Sequence, residues 1–273
     1  MLWTALIFQL RLRIDKSLTI LPLLCWHVII PYTYHYCGII PYLIVTAGGQ
    51  SFLRSHPSAA AGISELADAT TSSRCSKDLG HRNTLRKMSR GHQFIVRAGG
   101  HIDAWSPLYQ SESVGQVFLI LISWLYLVVK DMPVSQWRSI WLAYDNMCQL
   151  VKCKASSHLL PLPSPFNKMW HNVNKIVDAL HIKNHVDPKC HTDLHPDNFF
   201  DMYPDFKGQR NTQAAEQTFV WLGRFKKIVC SMSKTHHLFY LHRMVKYRNR
   251  YNELCYQEGK KPLLPSVRNG DSN

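Results

Sequence analysis

Apolar positions along this chain fall into runs of distinct length and period, and each kind predicts a different element. Between Ser17 and Phe52 there is no Lys, Arg, Asp or Glu, and the sequence is almost wholly apolar or aromatic. Residues 17–47 are long enough to cross a bilayer, for which about 20 apolar residues suffice. Pro22, Pro31, Pro41 and Gly38 interrupt the run, so a membrane anchor, a buried segment and a gene-model artefact stay open as alternatives. Residues 55–74 turn small and polar, rich in Ala, Ser and Gly, and read as a linker.

Beyond the linker the pattern becomes that of a folded domain. "HQFIVRAGGHID" predicts a strand, a Gly-Gly turn and a second strand. From Ser111 a continuous apolar run, Val117 to Val129, ends before Pro133. It is short for a span and predicts a buried core helix over Ser111–Val129. Ile140 to Tyr144 is a compact apolar run that delivers Asp145 at its end, as a buried strand would. Lys175 to Leu180 predicts a short strand carrying Asp178. "NTQAAEQTFVWLGRFKKIVCSM" predicts one amphipathic helix, with Asn211 or Thr212 as cap and Phe219, Leu222, Phe225 and Val229 on its apolar side. A second helix follows in "THHLFYLHRMVKYRNRYNELC". The resulting division is a hydrophobic N-terminal extension (1–54), a linker (55–74), an α/β domain (75–258) and a tail (259–273).

Charge changes the picture by naming a class of partner. The 273 residues hold 32 Lys and Arg against 18 Asp and Glu, a formal charge of +14, and such a surplus attracts polyanions through counterion release. Ten of those cations and only two acids fall between Asp205 and Arg250. Arg224, Lys226, Lys227, Arg243, Lys246, Arg248 and Arg250 are the expected DNA-binding residues, with Tyr247 or Tyr251 available for stacking. Eight Cys at scattered spacings do not form a secreted disulfide framework and point to a reducing compartment. No phosphate-loop, dinucleotide or hydrolase-elbow motif occurs.

Two constellations could carry chemistry. Asp145 after a strand, Asp178 in or after the next, and Glu216 early in a following helix are the hard oxygen donors that Mg²⁺-dependent phosphoryl transfer requires. The bland alternative is a pair of turn acids and a Glu favoured by the helix dipole. The segment Asn174–Asn198 packs four His, one Cys and four Asp together. Its His181, His185 and Cys190, in an H-x3-H-x4-C spacing, suit Zn²⁺, with Cys148, Cys153, His191 or His195 as a further ligand. Half-exposed polar His are the competing reading.

Three blocks taken in order, "YDNMCQL", "VDALHIKNHVDPKCH" and "NTQAAEQTFVWLGRFKKIVCSM", ending in "KYRNRY", resemble the Kyakuja-Dileera-Zisupton (KDZ) transposases, particularly the cysteine-cluster-associated animal group. "CSKDLGHRNTL", "QFIVRAGGHI" and "LYQSESVGQV" sit where that group has similar blocks, so the resemblance spans about residues 75 to 255. It implies a DDE-type enzyme of transposable elements with an RNase H-like core, acting on DNA in the nucleus with Mg²⁺ or Mn²⁺. It also implies that Asp145 and Glu216 are catalytic acids and that Asp178 with His181 forms the supporting D-x-x-H element. Asp78 and Asp103 are candidates for the first catalytic Asp, and Gly99-Gly100 stands where relatives carry Cys-Gly.

The expected architecture is therefore α/β: a partial RNase H-like core with C-terminal helices, behind a poorly integrated hydrophobic N-terminal region. The expected function is that of a transposase-derived DNA-binding protein, a fragment or degenerate copy, related to DDE-type enzymes and itself degenerate or inactive. An active metal-dependent transposase and a membrane protein anchored by residues 17–47 are the alternatives.

Overall fold

The alternation in "HQFIVR" becomes a strand whose two faces enter different cores: Phe94 and Val96 are buried on one side of the sheet and Ile95 on the other. The computed structural model describes residues 2–10, 91–108, 114–202 and 213–263, with single positions at 58, 62 and 211. Within these residues five strands form one sheet: β1 (Leu2–Leu10), β2 (Gly91–Arg97), β3 (Ile102–Leu108), β4 (Ile140–Tyr144) and β5 (Asn174–Val177), in spatial order β3-β2-β1-β4-β5. The β2–β3 pair is the predicted antiparallel hairpin, and Gly100, at φ 83°, supplies the left-handed residue of its turn. β3 lies at the sheet edge, where Pro107 is tolerated because a missing N–H breaks no inner ladder.

Helices cover both faces. On one side lies α1 (Val114–Val129), apolar nearly all round, with Phe118, Leu121 and Leu125 buried against Ile95, Leu142 and Val177. Two short helices, α2 (Met147–Val151) and α3 (Met169–Asn172), complete that layer; Trp170 of α3 meets Phe118 edge-on at 5.1 Å. The chain then passes through α4 (Pro188–His191) and α5 (Asp197–Met202) to the opposite face. That face is covered by α6 (Ala214–Gly223), α7 (Lys226–Ser231) and α8 (Lys234–Gln257), which bury Ala215, Phe219, Leu222, Val229, Leu241 and Val245 against Phe94, Trp105, Trp141, Ala143 and Ile176. Phe219 meets Phe94 edge-on at 6.0 Å. Burial of each such aromatic contributes on the order of 1.5–3 kcal/mol, and the edge-on geometry adds to it.

Three expectations change in detail. The single helix expected over 211–232 is two: Gly223, a poor helix former, closes α6, and α7 restarts after Phe225. Asn211 does not cap directly; its Oδ1 accepts from the Gln213 N–H at 3.0 Å, and the helix begins at Ala214. The expectation of a poorly integrated N-terminal region fails for Leu2–Leu10. β1 runs parallel to β2 and antiparallel to β4 in the middle of the sheet, satisfying two ladders that would otherwise be open edges. The apolar run at 17–47 lies outside the described residues. Among those described, no helix is long and apolar enough to cross a membrane.

Candidate active-site edge and an adjoining thiol cluster

β4 and β5 are parallel and in register, with Tyr144 beside Val177. The next residue of each strand is an acid, so Asp145 and Asp178 leave the same end of the sheet side by side. The carboxyl ends of adjacent parallel strands are where α/β sheets ordinarily place ligands. Asp178 is buried; its Oδ1 accepts from the Leu180 N–H at 3.0 Å, and its Oδ2 lies 3.4 Å from His181 Nδ1. Asp145 is half-buried and its Oδ1 accepts from the Asn146 N–H at 2.7 Å.

Glu216 arrives from the first turn of α6, where the helix N-terminus favours a negative charge. Its Oε1 lies 3.9 Å from His181 Nε2. His181 therefore stands between two carboxylates, and donor atoms of Asp178, His181 and Glu216 lie within 4.8 Å of one another. The Asp178 carboxylate beside it, reinforced by the charges of Asp145 and Glu216, raises the affinity of His181 for its proton. Burial raises Glu216 above the usual carboxylate range, and the neighbouring His181 only partly offsets this. Three acids on one imidazole make a site that attracts cations. Its carboxylate oxygens suit Mg²⁺ or Mn²⁺ in kind, and an imidazole nitrogen is compatible with the latter.

The thiol cluster lies next to this edge. His185 follows a 3-10 turn (Ile182–Asn184), Cys190 is fully buried in α4, and Cys148 is buried in α2. His185 Nδ1 is 3.2 Å from Cys190 Sγ and 3.6 Å from Cys148 Sγ. Burial lowers the proton affinity of His185, while its ring is also hydrogen-bonded to the backbone of Asp145. Burial and the neighbouring Cys148 push the Cys190 thiol up to about 11. The structure thus divides the H-x3-H-x4-C pattern. His181 joins the acids, whereas His185 and Cys190 are joined by Cys148. Cys153, His191 and His195 have other engagements: Cys153 Sγ bonds the Gln149 carbonyl at 3.5 Å, His191 Nε2 the His185 carbonyl at 2.7 Å, and His195 Nδ1 accepts from the Asp197 N–H at 3.2 Å.

The basic residues also separate. Arg224, Lys226, Lys227, Lys246 and Arg250 are exposed, and Arg243 is half-buried with its guanidinium donating to Tyr247 Oη at 2.7 Å. Tyr247 and Tyr251 are exposed on the same helix. Arg248 differs from the expectation: it is buried, lies over the rings of Trp221 and Tyr251 at 5.5 and 5.4 Å, and donates to the Leu263 carbonyl. Its place in the helical repeat points it towards α6, so it serves packing and does not share the exposed face.

Asp103, a candidate first acid, is on edge strand β3 and pairs with Arg97 at 2.8 Å. Three strand positions separate it from β4, about 14 Å at ordinary spacing, so it does not join Asp145 and Asp178. Asp78 lies outside the described residues. The strand next to β4, Leu2–Leu10, contains no acid at all.

A family model for Kyakuja-Dileera-Zisupton transposases matches residues 85–249. No curated protein and no solved structure matches the chain. The match covers β2 through most of α8 and includes the acids, the thiol cluster and most of the basic face. With more than half of its length matched, the chain belongs to the Kyakuja-Dileera-Zisupton transposase family.

Proposed function

We propose that this chain is a transposase-derived DNA-binding protein with an RNase H-like, DDE-type core in which phosphoryl transfer is reduced or lost. One observation carries the reading. Asp145 and Asp178 at neighbouring strand ends and Glu216 from α6 all act on His181, while the central strand beside them brings no further carboxylate. Asp178, Glu216 and Asp145 are the residues that would hold Mg²⁺ or Mn²⁺, with His181 as a donor or as their countercharge. A bound ion of this kind would polarise a phosphodiester and lower the pKa of an attacking water or 3′-hydroxyl. Three carboxylates, one of them less acidic than usual and all facing an imidazole that holds its proton more tightly, leave the charge of two divalent ions only partly compensated, and that supports weak catalysis over full activity.

The residues' own contributions follow from their placement. Asp178, fixed by the Leu180 N–H, orients His181; Glu216, less acidic than usual, can carry or release a proton close to the strand ends. The exposed cations of α7 and α8, interleaved with Tyr247 and Tyr251, would hold the phosphate backbone by charge and stack on bases or sugars. Action on DNA makes the nucleus the expected compartment. The membrane alternative rests wholly on residues 17–47.

The test is a comparison of two activities in purified full chain. Salt-sensitive DNA binding that survives Asp145→Ala and Glu216→Ala, without cleavage or strand transfer in Mg²⁺ or Mn²⁺, is the expected result. Metal-dependent cleavage abolished by those substitutions would establish an active enzyme instead. Absence of both binding and cleavage would end both readings.

A further inference from the structure

We propose that Cys148, His185 and Cys190 form a binding site for a thiophilic divalent cation of the zinc class, and that its role is to brace the chain behind Asp145. The inference does not rest on phosphoryl transfer, because none of the three residues belongs to the acidic group.

The donor set is the first argument. Two thiols and an imidazole converge with potential ligand atoms within 4.8 Å of one another. Around a tetrahedral zinc, with bonds of about 2.3 Å to sulfur and about 2.05 Å to nitrogen, neighbouring S and N donors lie about 3.6 Å apart. The observed separations are 3.6 Å for Cys148–His185 and 3.2 Å for His185–Cys190. They need only small adjustments to enclose an ion. Two thiolates would balance its charge, and binding would release their protons to solvent. Three protein donors leave a fourth position for water.

The surroundings are the second argument. A metal-ligating His commonly engages a backbone carbonyl or carboxylate through its other ring nitrogen, and the His185 ring is hydrogen-bonded to the Asp145 backbone. Close by, Lys152 pairs with Asp187 at 2.5 Å, which places an ammonium beside the two thiols.

The third argument is mechanical. Cys148, His185 and Cys190 come from a five-residue helix, the end of a three-residue 3-10 turn and a four-residue helix. Such short pieces hold no shape alone, because helix nucleation is costly and few bonds repay it. An ion joining them would fix α2, the turn and α4 at once. Through the His185–Asp145 contact it would also hold the end of β4, and through Ile182–Asn184 the segment that carries His181.

Metal analysis of the full chain, purified under reducing conditions, tests this. About one equivalent of zinc is expected in the wild type, falling to background in Cys148→Ser and Cys190→Ser and retained in Cys230→Ser and Asp178→Asn. Because the first two variants can fail to fold, the wild type should also be stripped and loaded with Co²⁺. A thiolate-to-cobalt charge-transfer band and tetrahedral d–d bands are expected. Lack of stoichiometric zinc together with lack of that cobalt band overturns the site, as does unchanged zinc in both Cys variants or a native Cys148–Cys190 disulfide. Retention of zinc by Asp178→Asn keeps the outcome separate from that of the phosphoryl-transfer test.

Discussion

His92 of β2 and His237 of α8 face each other across the sheet–helix interface with their Nε2 atoms 2.6 Å apart and their rings stacked at 4.8 Å. Only one of the two facing nitrogens can carry a hydrogen, so the contact requires at least the accepting ring to be neutral and excludes two protonated rings. Burial lowers the proton affinity of both; for His92 the neighbouring His237 adds to it, and for His237 the Val229 carbonyl opposes it in part. A His with a depressed folded pKa destabilises the fold as pH falls below its unfolded value of about 6.5, since the unfolded chain then takes up protons that the folded one refuses. Each such His contributes a slope of up to about 1.4 kcal/mol per pH unit in that window. His181 acts in the opposite sense: its raised pKa contributes stability that is complete below about 6.5 and lost as pH rises through the folded value. Denaturant unfolding across pH 5 to 8 should show a maximum near neutrality. His237→Gln should make the acid limb shallower, and an unchanged limb would refute the pair's role.

Asn249 holds α8 to the sheet in a way that a single side chain makes testable. Its Oδ1 accepts from the Ile102 N–H at 2.9 Å, and its Nδ2 donates to the Ile102 carbonyl at 2.8 Å. The amide thus completes both backbone groups of an edge-strand residue, and Asn252 does the same for the Gly100 carbonyl. Asn249→Ala removes both hydrogen bonds to the Ile102 backbone and should cost about 1–3 kcal/mol. Asn249→Asp keeps the acceptor and loses the donor, so it should lose a large part of the same stability at neutral pH. Urea midpoints for the two variants decide this; an Asp variant as stable as wild type would contradict the reciprocal bond.

Much of this site was legible in one dimension, and the limits are instructive. "IWLAYD" announces a buried strand ending on an acid because five apolar residues in a row leave little alternative. Asp178 could be placed in a strand expected over Lys175–Leu180, although β5 ends one residue before it at Val177, and Glu216 could be placed early in a helix. The partition of His181 from His185 was not legible, since it depends on the 3-10 turn that separates their directions. Cys148 lies 37 residues from His185 and joins it only because β4 and β5 are neighbours. Arg248 reads like any other cation in "KYRNRY"; only its position in the helical repeat, next to Trp221, removes it from the surface.

Exposed cations and the buried Arg248 separate in a salt titration. Arg224, Lys226 and Lys227 are exposed and able to meet phosphate, so their combined substitution by Ala should weaken DNA binding at every sequence tested. It should also reduce the slope of log affinity against log salt by about 0.9 for each phosphate that is no longer neutralised. Arg248→Ala should leave that slope alone and lower the unfolding midpoint, because it removes packing over Trp221 and a hydrogen bond to Leu263. A fall in salt slope for Arg248→Ala with unchanged stability would reverse the assignment.

The largest departure from the sequence pattern concerns Leu2–Leu10, which hydropathy alone joins to the hydrophobic extension. Leu6 pairs with Ile95 on one side and Tyr144 on the other, so β1 bridges the hairpin half of the sheet to the half that presents Asp145 and Asp178. Removing residues 1–10 would leave β2 and β4 with open inner edges, each able to pair with another chain. A truncated protein should therefore aggregate or lose cooperative unfolding, although the family match begins only at residue 85. Leu6→Pro is the subtler test. It keeps the length and apolar character of the strand but removes a backbone donor from the middle of a sheet, where Pro is not accommodated. The expected loss is at least about 1–3 kcal/mol, from the missing bond and the unpaired carbonyl it leaves. Full solubility and an unchanged unfolding midpoint in both variants would show that the segment is dispensable and would return it to the status of an appended tail.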